Sequence, residues 1–261
     1  MTPCPSCHQP EGFKSLGEKG SVRLLRCPSC RLVFADRDFW REPYHEKDYY
    51  DPEFQPEEQY PLSASATERD RAGTILKHMA PGRFLDYGGG LGRTGLAAAA
   101  LGFDVTLIED SERAVANGRV HHPEIHWIQG RDIPASTPDT SFDAAALFHV
   151  LEHITEPREI LRQLHRVLKP GGLLVIEVPN WGSHLRRLQG VDWLYVIDHH
   201  VNYFDRHSLT RLVEPLGFQF KAVEYRRTFA INEQKPWREF AKKILCVLGF
   251  AQILRCVFVR K

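Results

Sequence analysis

A glycine-rich turn is the stretch of this sequence whose residue types and spacing best suit the binding of a ligand. The segment 83–95 reads RFLDYGGGLGRTG, and Gly88, Gly90 and Gly92 alternate within it. Glycine lets a backbone turn tightly and approach a ligand closely, because it has no Cβ. An apolar run precedes the turn, and the alanine-rich range 96–101 after it favours a helix. A strand that enters a glycine turn and then a helix is the first unit of a nucleotide-binding α/β fold.

Two C-x-x-C pairs near the start of the chain have the residue type and spacing of a zinc site. The candidate ligands are Cys4, Cys7, Cys27 and Cys30, and 19 residues separate the two pairs. Each pair places two thiolates on one side of a tight turn, so two pairs complete a tetrahedral shell around Zn²⁺. A closed shell has no open position, and we therefore expect a structural Zn²⁺ that stabilises a small module. A redox dithiol and two unrelated turns are the alternatives.

Histidines form two groups that could supply a general base, because imidazole titrates near neutral pH. His149 begins the run H-V-L-E-H, and His199 and His200 belong to the run D-H-H-V-N-Y-F. We expect His200 or His199 to contact a bound substrate, with His149 as the next candidate. The chain has 13 histidines, so chance clustering and ordinary packing are the alternatives.

Aromatic and basic residues lie between these two histidine groups. We expect Trp181, Trp193 and Tyr195 to line a substrate pocket. Arg186 and Arg187 could meet a phosphate or a carboxylate, and the alternative is a helix face exposed to solvent.

The composition narrows the range of functions. The chain has 261 residues, 43% of them hydrophobic and 26% charged, as in an ordinary globular protein with one sizeable domain and a small module. A formal net charge of +1 argues against a general nucleic-acid binder. The start of the chain has no signal-peptide pattern, and the apolar run 244–251 is far shorter than the roughly 20 residues of a membrane span. We expect a cytoplasmic protein, and leave open a homodimer or contact with a membrane surface.

Strands and helices alternate after residue 81, which predicts a parallel sheet. We expect helices over 64–79 and about 157–168, and a strand that ends at the glycine turn. The further predicted strands are 104–109, 124–129, 141–148, 173–178, 218–225 and 254–259.

Several blocks of this sequence resemble the class I S-adenosylmethionine (SAM) methyltransferases. The matching blocks, in order, are LDYGGGLG, LIEDS, GRDI, FDAAALFHVLEHI, LKPGGLLVIEVPN and HHVNYFDRHSLTRLVEPLGF. The D-x-G-x-G-x-G spacing resembles the first motif of that family and differs from the G-x-G-x-x-G of dinucleotide folds. Tyr87 and Gly89 depart from the residues most frequent there, at positions that tolerate variation. Within the family the chain is similar to a bacterial branch with an N-terminal zinc ribbon, which modifies small molecules, sugars and surface glycans.

The resemblance implies an α/β fold with a Rossmann-like sheet of seven strands and a small N-terminal zinc ribbon. It implies a zinc-ribbon module over 1–38, an aromatic-rich connecting segment and lead-in helix over 39–80, and a SAM-dependent methyltransferase domain over 81–261. Within that domain we expect a substrate-wall insertion at about 181–206 and an apolar insertion at about 230–252.

The resemblance also implies a cofactor site. Its residues are Asp86, Gly88, Gly90 and Gly92 at the methionine part of SAM, Glu109 at the ribose, and Asp132 and Ile133 at the adenine. Ligands of open parallel sheets bind beyond the carboxyl ends of the strands, and all these residues follow or close strands there. Asp110 is the alternative to Glu109.

The implied function is methyl transfer from SAM to a small-molecule, sugar or glycan acceptor, with O-methylation favoured over N or C. An RNA methyltransferase and a non-catalytic SAM-binding protein are the alternatives; the near-neutral charge disfavours the first, and the intact turn with its acids disfavours the second. Ubiquinone-biosynthesis and small-RNA methyltransferases carry E-x-x-E-H and a divalent ion at the position of H-V-L-E-H. Because His149 replaces the first acid, the sequence disfavours a second, catalytic metal.

Overall fold

The computed structural model describes residues 3–38, 64–226 and 249–261. They form a four-stranded sheet and a seven-stranded sheet. The aromatic segment predicted before residue 64 and most of the predicted apolar insertion lie outside the described residues. Among the described helices, none is both long enough and apolar enough to cross a bilayer.

The small sheet joins the N-terminal module to the large domain. Strands β1 (Lys14–Lys19), β2 (Val22–Arg26) and β3 (Val33–Ala35) pair antiparallel in that order. Strand β9 (Asn202–Tyr203) adds to β3, with Val33 opposite Tyr203. Since β9 lies in the insertion predicted over 181–206, the module and the insertion share one sheet, which the sequence did not indicate.

The large sheet has the strand order β10-β11-β8-β7-β4-β5-β6. Strands β4 to β8 pair parallel with one another, whereas β11 is antiparallel to both β8 and β10. The order reverses between β4 and β7, and ligands of such sheets bind beyond the carboxyl ends at that point. The strands are β4 (Arg83–Tyr87), β5 (Asp104–Glu109), β6 (His126–Gln129), β7 (Phe142–Phe148), β8 (Leu168–Pro179), β10 (Phe218–Arg226) and β11 (Ile253–Arg260).

Helices cover the large sheet, and their ends follow capping rules. Ser65 forms a capping box with Glu68 at the start of α1, and Asp205 caps α6 through the Ser208 N–H. Pro157 occupies the first turn of α4, where its missing N–H costs nothing. The helices are α1 (Ala66–His78), α2 (Arg93–Ala99), α3 (Glu112–His121), α4 (Pro157–Val167), α5 (His184–Gln189) and α6 (Arg206–Val213).

The predicted elements are found with small shifts at their ends. Strand β6 begins at His126 and not at 124, because the Ile125 N–H bonds to the His122 carbonyl in a turn. Strand β8 begins earlier than the predicted 173, because Leu168 already pairs with Phe142 before the register shifts.

The hydrophobic core lies on both faces of the large sheet and continues into the module. Cys4, Leu25 and Phe34 of the module belong to the same buried cluster as Leu147 and Ile176 of the large sheet. A further cluster packs module strands β1 to β3 against the aromatic residues of the insertion. The module is therefore packed on the large domain along two faces of its own sheet.

Candidate functional site

The glycine turn has the backbone geometry that its sequence predicts. Gly88, Gly90 and Gly92 have φ values of 68°, 56° and 76°. A Cβ on Gly88 would lie 2.6 Å from Val150 Cγ2, and one on Gly92 would lie 2.5 Å from Trp127 Cη2. Residues with a Cβ are strained at such φ values and would clash at both positions. The prediction that this turn requires glycine is confirmed.

Glu109 ties the glycine turn to the end of β5. Its side chain is 8% exposed. Oε2 accepts a hydrogen bond from the Gly90 N–H at 2.8 Å, and Oε1 accepts one from the Ser111 N–H at 3.0 Å. Burial raises the pKa of Glu109, while these N–H donors act in the opposite direction. A carboxylate has about four acceptor positions, so positions remain for donors on a ligand.

Asp86, next to the end of β4, is a buried acid with an unused acceptor. It is 1% exposed, and its Oδ2 has no hydrogen-bond partner among the described residues. Burial raises the pKa of Asp86 to about 7, although the Arg71 charge and the Gly95 N–H lower it. Leaving a buried acceptor unpaired costs about 1–3 kcal/mol. A ligand that donates a hydrogen bond to Asp86 would offset this cost.

The loop after β6 lies beside Glu109. The Gly130 N–H donates to the Glu109 carbonyl at 2.9 Å. Asp132 is exposed and accepts from Gln163 Nε2 at 3.0 Å, whereas the Ile133 N–H donates to Gln163 Oε1 at 2.9 Å. The Ile133 side chain is buried in the core. Gln163 of α4 thus holds this loop, a role that the sequence did not indicate.

Asp110, the alternative to Glu109, has a different environment. It is half-buried, and its Oδ2 accepts a hydrogen bond from Arg131 Nε at 2.7 Å. The Asp110 carboxylate is engaged by the Arg131 side chain, whereas the Glu109 carboxylate accepts a hydrogen bond directly from the Gly90 N–H. The geometry favours Glu109.

His149 lies directly after β7 between two buried acids. Its Nδ1 is 3.0 Å from Glu152 Oε1, and its Nε2 is 3.5 Å from Glu177 Oε1. Its backbone has a φ of 58°, and its N–H donates to the Glu177 carbonyl at 2.9 Å. Burial would raise the pKa of Glu152, but the hydrogen bond and charge of His149, with the charges of His153 and His200, outweigh it and lower that pKa to about 2.

Glu177 is the centre of an ion-pair network that the sequence analysis missed. Arg71 Nη2 lies 2.7 Å from Glu177 Oε1, and Arg255 Nη2 lies 2.5 Å from Glu177 Oε2. Arg255 is 1% exposed and also pairs with Asp70 and Glu224. The sequence holds a signal for this network, because Glu177 and Arg255 each interrupt an apolar strand.

Three imidazoles come together beside these acids. Ring nitrogens of His153, His199 and His200 lie within 4.8 Å of one another. The His153 ring stacks on that of His199 with 5.2 Å between the ring centroids. The His200 Nδ1–H donates to the Tyr195 carbonyl oxygen, at 2.8 Å from Nδ1. His200 is 5% exposed, and burial lowers its pKa to about 3. Burial and the charge of His153 also lower the pKa of His199.

The aromatic residues of the insertion have two different roles. Trp193 is fully buried and contacts Trp181 at 6.0 Å and Tyr195 at 4.9 Å between ring centroids. Trp193 is therefore a core residue and does not wall a pocket, contrary to the expectation from sequence. Trp181 lines a small pocket together with Arg186.

The four cysteines converge as their spacing predicts. The Sγ atoms of Cys4 and Cys30 lie 3.5 Å apart, as do those of Cys7 and Cys27, and all four are within 4.8 Å of one another. The two turns have the same local geometry, because the fifth residue of each donates its N–H to the carbonyl of the first cysteine. These distances are compatible with one metal ion among four sulfurs.

Comparison with known proteins identifies the large domain. A sequence model of the methyltransferase domain matches residues 58–223, more than half of the chain. The chain belongs to the methyltransferase-domain family. A SAM-dependent methyltransferase from Mesorhizobium loti has the same fold, with a TM-score of 0.55 and 20% identity over 72% of this chain and 96% of that one. A possible histamine N-methyltransferase from Thermotoga maritima gives a TM-score of 0.56 and 22% identity, over 74% and 89%.

Curated members of the family match the central part of the chain. A demethylmenaquinone methyltransferase of Renibacterium salmoninarum is 35% identical over 94 residues, which are 36% of this chain and 40% of that protein. A ubiquinone biosynthesis O-methyltransferase of a Caulobacter species is 34% identical over 107 residues, 38% and 41% of the two chains. The chain thus spans about 40% of the length of these two relatives.

Proposed function

We propose that the protein transfers a methyl group from SAM to a small-molecule acceptor, with oxygen as the favoured acceptor atom. The observation that carries the proposal is the glycine turn, which is held open by left-handed glycines and bonded to Glu109. Family membership supports methyl transfer. The names of the demethylmenaquinone and ubiquinone relatives support a small acceptor, and the resemblance noted in the sequence extends this class to sugars and glycans.

The residues around the turn fit SAM. The unpaired Oδ2 of Asp86 suits a donor on the methionine part of the cofactor, because this acceptor is buried. Glu109 has acceptor positions left for the ribose hydroxyls. Asp132 is exposed beside the end of β5 and suits the adenine amino group, and Ile133 anchors its loop in the core. Gly88, Gly90 and Gly92 let the backbone approach the cofactor.

SAM supplies an activated methyl group, so the chain's own residues have to orient the acceptor and take up its proton. His149 has the geometry of that base. Glu152 orients its ring through Nδ1 at 3.0 Å. A proton taken up at Nε2 would be stabilised by the Glu177 carboxylate, 3.5 Å away. The His149 side chain is 31% exposed and can be reached by an acceptor.

His200 and His199, which the sequence suggested first, are weaker candidates for the base. His200 is nearly inaccessible, and an imidazole with a pKa of about 3 accepts a proton poorly near neutral pH. Burial also lowers the pKa of His199. We therefore assign the transfer of the acceptor proton to His149, and to His199 and His200 the shaping of the acceptor site.

The four cysteines of the module fit one Zn²⁺. Zn–S bonds of about 2.3 Å in a tetrahedron separate the sulfurs by about 3.8 Å, close to the distances found here. Cys4, Cys7, Cys27 and Cys30 would hold this ion in a closed shell. Its role is structural, and no part of the methyl transfer is assigned to it.

One observation favours a variant of the same activity in which a second divalent ion orients the acceptor. The sequence disfavours such an ion, but His153, His199 and His200 offer three ring nitrogens at one point. Imidazole ligands suit Zn²⁺ or a similar ion better than Mg²⁺. Elemental analysis distinguishes the two variants: one zinc per chain supports the cysteine site alone, and a second ion that is lost in His153→Ala supports the metal-assisted reaction.

The function is tested by cofactor binding and by transfer. Glu109→Ala removes a charged hydrogen-bond acceptor. It should therefore weaken binding of S-adenosylhomocysteine at least about tenfold. Asp104→Ala is the matched control, because Asp104 is an exposed acid at the opposite end of the same strand. Calorimetry that finds equal affinity in the two variants would contradict the cofactor site.

Transfer from labelled SAM should occur with quinols, catechols or sugars and not with RNA. Labelling of transfer RNA or ribosomal RNA alone would instead support the RNA alternative, in which the module holds the RNA. A cytoplasmic location, a homodimer and contact with a membrane surface stay predictions from the sequence.

A further inference from the structure

The small pocket lined by Trp181 and Arg186 lies between the N-terminal module and the insertion that follows β8. Its volume is about 150 Å³, half the lower bound of about 300 Å³ for pockets that hold drug-sized ligands. It therefore suits a group of a few heavy atoms. The module contributes from β1 and β2, and the insertion contributes from α5 and its flanks. The lining residues are Leu16, Arg26, Trp181, Arg186, Gly190 and Val191.

Two arginines from different parts of the chain meet in this pocket. Arg26 and Arg186 are both half-buried, and neither forms an ion pair with an acid in the described ranges. Burial, together with the charges of Arg187 and Arg26, lowers the pKa of Arg186 to about 10, while the charge of Asp205 acts in the opposite direction. Two like charges in a partly buried place are unfavourable unless an anion joins them.

Two of the lining residues also carry buried donors that lack an acceptor. Arg26 Nε and Trp181 Nε1 are buried without a hydrogen-bond partner among the described residues. Both groups can only donate, so the partner that would satisfy them has to be an acceptor. An unpaired buried donor is unfavourable in the same way as an unpaired acceptor.

Arg186 is already held in one orientation. Its Nε donates to the Trp181 carbonyl at 2.8 Å, and its guanidinium lies 4.1 Å from the centroid of the Trp181 ring. A guanidinium stacked on an aromatic ring keeps its planar set of terminal donors available for an oxyanion. The terminal N–H groups of Arg186 form no hydrogen bond with another described side chain, and they complete a pocket with two charges and several N–H groups.

We propose that this pocket binds the phosphoryl group of a small phosphorylated molecule, with Arg26 and Arg186 as its charge partners and Trp181 Nε1 as a further donor. A phosphoryl dianion matches two guanidinium charges, whereas a carboxylate would leave one of them uncompensated. The phosphoryl group comes either from free phosphate or from a phosphorylated acceptor.

The second source rests on the proposed function. Trp181 contacts Tyr203 at 5.4 Å, and Tyr203 contacts His200 at 6.3 Å between ring centroids. Two ring contacts thus separate the pocket from the three histidines. A phosphorylated acceptor held at Arg186 would therefore be anchored near His153, His199 and His200 and away from the glycine turn.

Calorimetry with inorganic phosphate at constant ionic strength tests the pocket, on the full chain with its zinc. Wild type should bind phosphate, and Arg26→Gln and Arg186→Gln should each weaken this binding at least about tenfold, because each removes a charged donor. Arg187→Gln is the matched control, since Arg187 is exposed on the same helix and does not line the pocket. It should bind phosphate nearly as wild type does.

Two further variants keep the test independent of folding. Trp181→Phe retains the aromatic stack but loses the Nε1 donor, and Arg26→Lys retains the charge next to the cysteine site. Both should keep zinc and still unfold in one cooperative transition, although the smaller ring of Trp181→Phe lowers the melting temperature, while they bind phosphate more weakly. Absence of phosphate binding in wild type, or an equal loss in Arg187→Gln and Arg186→Gln, would overturn the proposal.

Sugar phosphates separate the two sources. If glucose 1-phosphate binds more tightly than inorganic phosphate and loses this gain in Arg186→Gln, the phosphoryl group belongs to a larger ligand. Equal affinities assign the pocket to free phosphate. S-adenosylhomocysteine should bind equally to all these variants. If phosphate binds but no phosphorylated molecule is methylated, the pocket stands and only its link to the acceptor fails.

Discussion

The carboxyl edge of the large sheet carries two sites that are held by different forces. At β4 and β5 the glycine turn is held by its backbone, through left-handed φ values and the hydrogen bond that the Gly90 N–H donates to Glu109. At β7 and β8 His149 is held by side chains, between the carboxylates of Glu152 and Glu177. The first kind of site should be sensitive to an added Cβ, and the second to a removed charge. Substitutions can separate these two responses.

Loss of one of the proposed zinc ligands should affect the site around the histidines (the histidine side) and spare the site at the glycine turn (the glycine side). Strand β3 of the module pairs with β9, close to His199 and His200. A structural Zn²⁺ contributes folding free energy outright, so Cys27→Ser should lose zinc and unfold the module. We expect methyl transfer to disappear while S-adenosylhomocysteine still binds.

Elemental analysis and calorimetry check this expectation. Cys256→Ser is the control, because Cys256 is a buried cysteine of β11 outside the group of four. That variant should keep its zinc. Equal loss of zinc in both variants, or loss of cofactor binding together with zinc, would show that the two sides are not separable in this way.

Removal of the proposed base, His149, should lower the rate of transfer without changing cofactor affinity. A positioned general base contributes about 10²–10⁴-fold to a rate, so His149→Ala should lower kcat by that factor. His126→Ala serves as the control, since His126 is exposed at the start of β6. Full turnover in His149→Ala with a large loss in His200→Ala would return the role to His200, as the sequence first suggested.

The buried network should respond strongly to the loss of one charge. Breaking a buried ion pair by removing one partner costs about 3–5 kcal/mol, so Glu177→Leu should lower the free energy of unfolding by this amount. Glu159→Leu removes the exposed pair with Arg162 instead, and should cost at most about 1 kcal/mol. Denaturant unfolding measures both. Equal losses would mean that Glu177 is better solvated than its burial implies.

The glycine side was predictable from sequence because its parts are close along the chain. The turn, the strand before it and the helix after it form one continuous segment, and glycine alone allows its φ values. Glu109 follows from the end of the next strand. The family resemblance supplied the roles of these residues, and those roles stay predictions.

The histidine side was predictable only in residue types. Glu177 and Arg255 are 78 positions apart, and they meet because β11 runs antiparallel to β8 in one register. His153 and His199 meet across 46 positions through a loop. No short-range pattern encodes such pairs, and the same holds for the sheet that β9 shares with the module.

A new Cβ should disturb the glycine turn more than an unconstrained turn. Gly92 and Gly171 have φ values of 76° and 77°, but a Cβ at Gly92 would lie 2.5 Å from Trp127 whereas one at Gly171 meets nothing within 4 Å. Left-handed backbone costs a residue with a Cβ about 1–3 kcal/mol in either case. The difference between Gly92→Ala and Gly171→Ala therefore measures the clash with Trp127, about 1–3 kcal/mol.

Thermal and denaturant unfolding check this pair of variants. Gly92→Ala should also weaken S-adenosylhomocysteine binding, which Gly171→Ala should leave unchanged. If both variants lose the same free energy, Trp127 moves aside without cost, and the turn depends on φ alone.

The two sides should also respond to pH with opposite signs. Burial raises the pKa of Asp86 to about 7. An unfolded Asp has a pKa of about 3.9, so between these values the folded chain binds the proton more tightly, and the contribution of Asp86 to stability falls as pH rises. The pKa of Glu152 is lowered to about 2, because the His149 hydrogen bond outweighs burial. Its contribution is present above about pH 4.3 and is lost as pH falls toward 2.

Unfolding free energies of wild type, Asp86→Asn and Glu152→Gln between pH 3.5 and 8 would measure both signs. Each slope is at most about 1.4 kcal/mol per pH unit, because one proton is exchanged. The wild-type advantage over Asp86→Asn should shrink as pH rises from 4 to 7, and its advantage over Glu152→Gln should shrink as pH falls below about 4.5. Taking differences at each pH removes the titration of groups that do not interact with Asp86 or Glu152. Slopes of the same sign would mean that the Asp86 carboxylate is stabilised by charge, as the Glu152 carboxylate is. The contrast between a site held by its backbone and a site held by charges would then fail at Asp86.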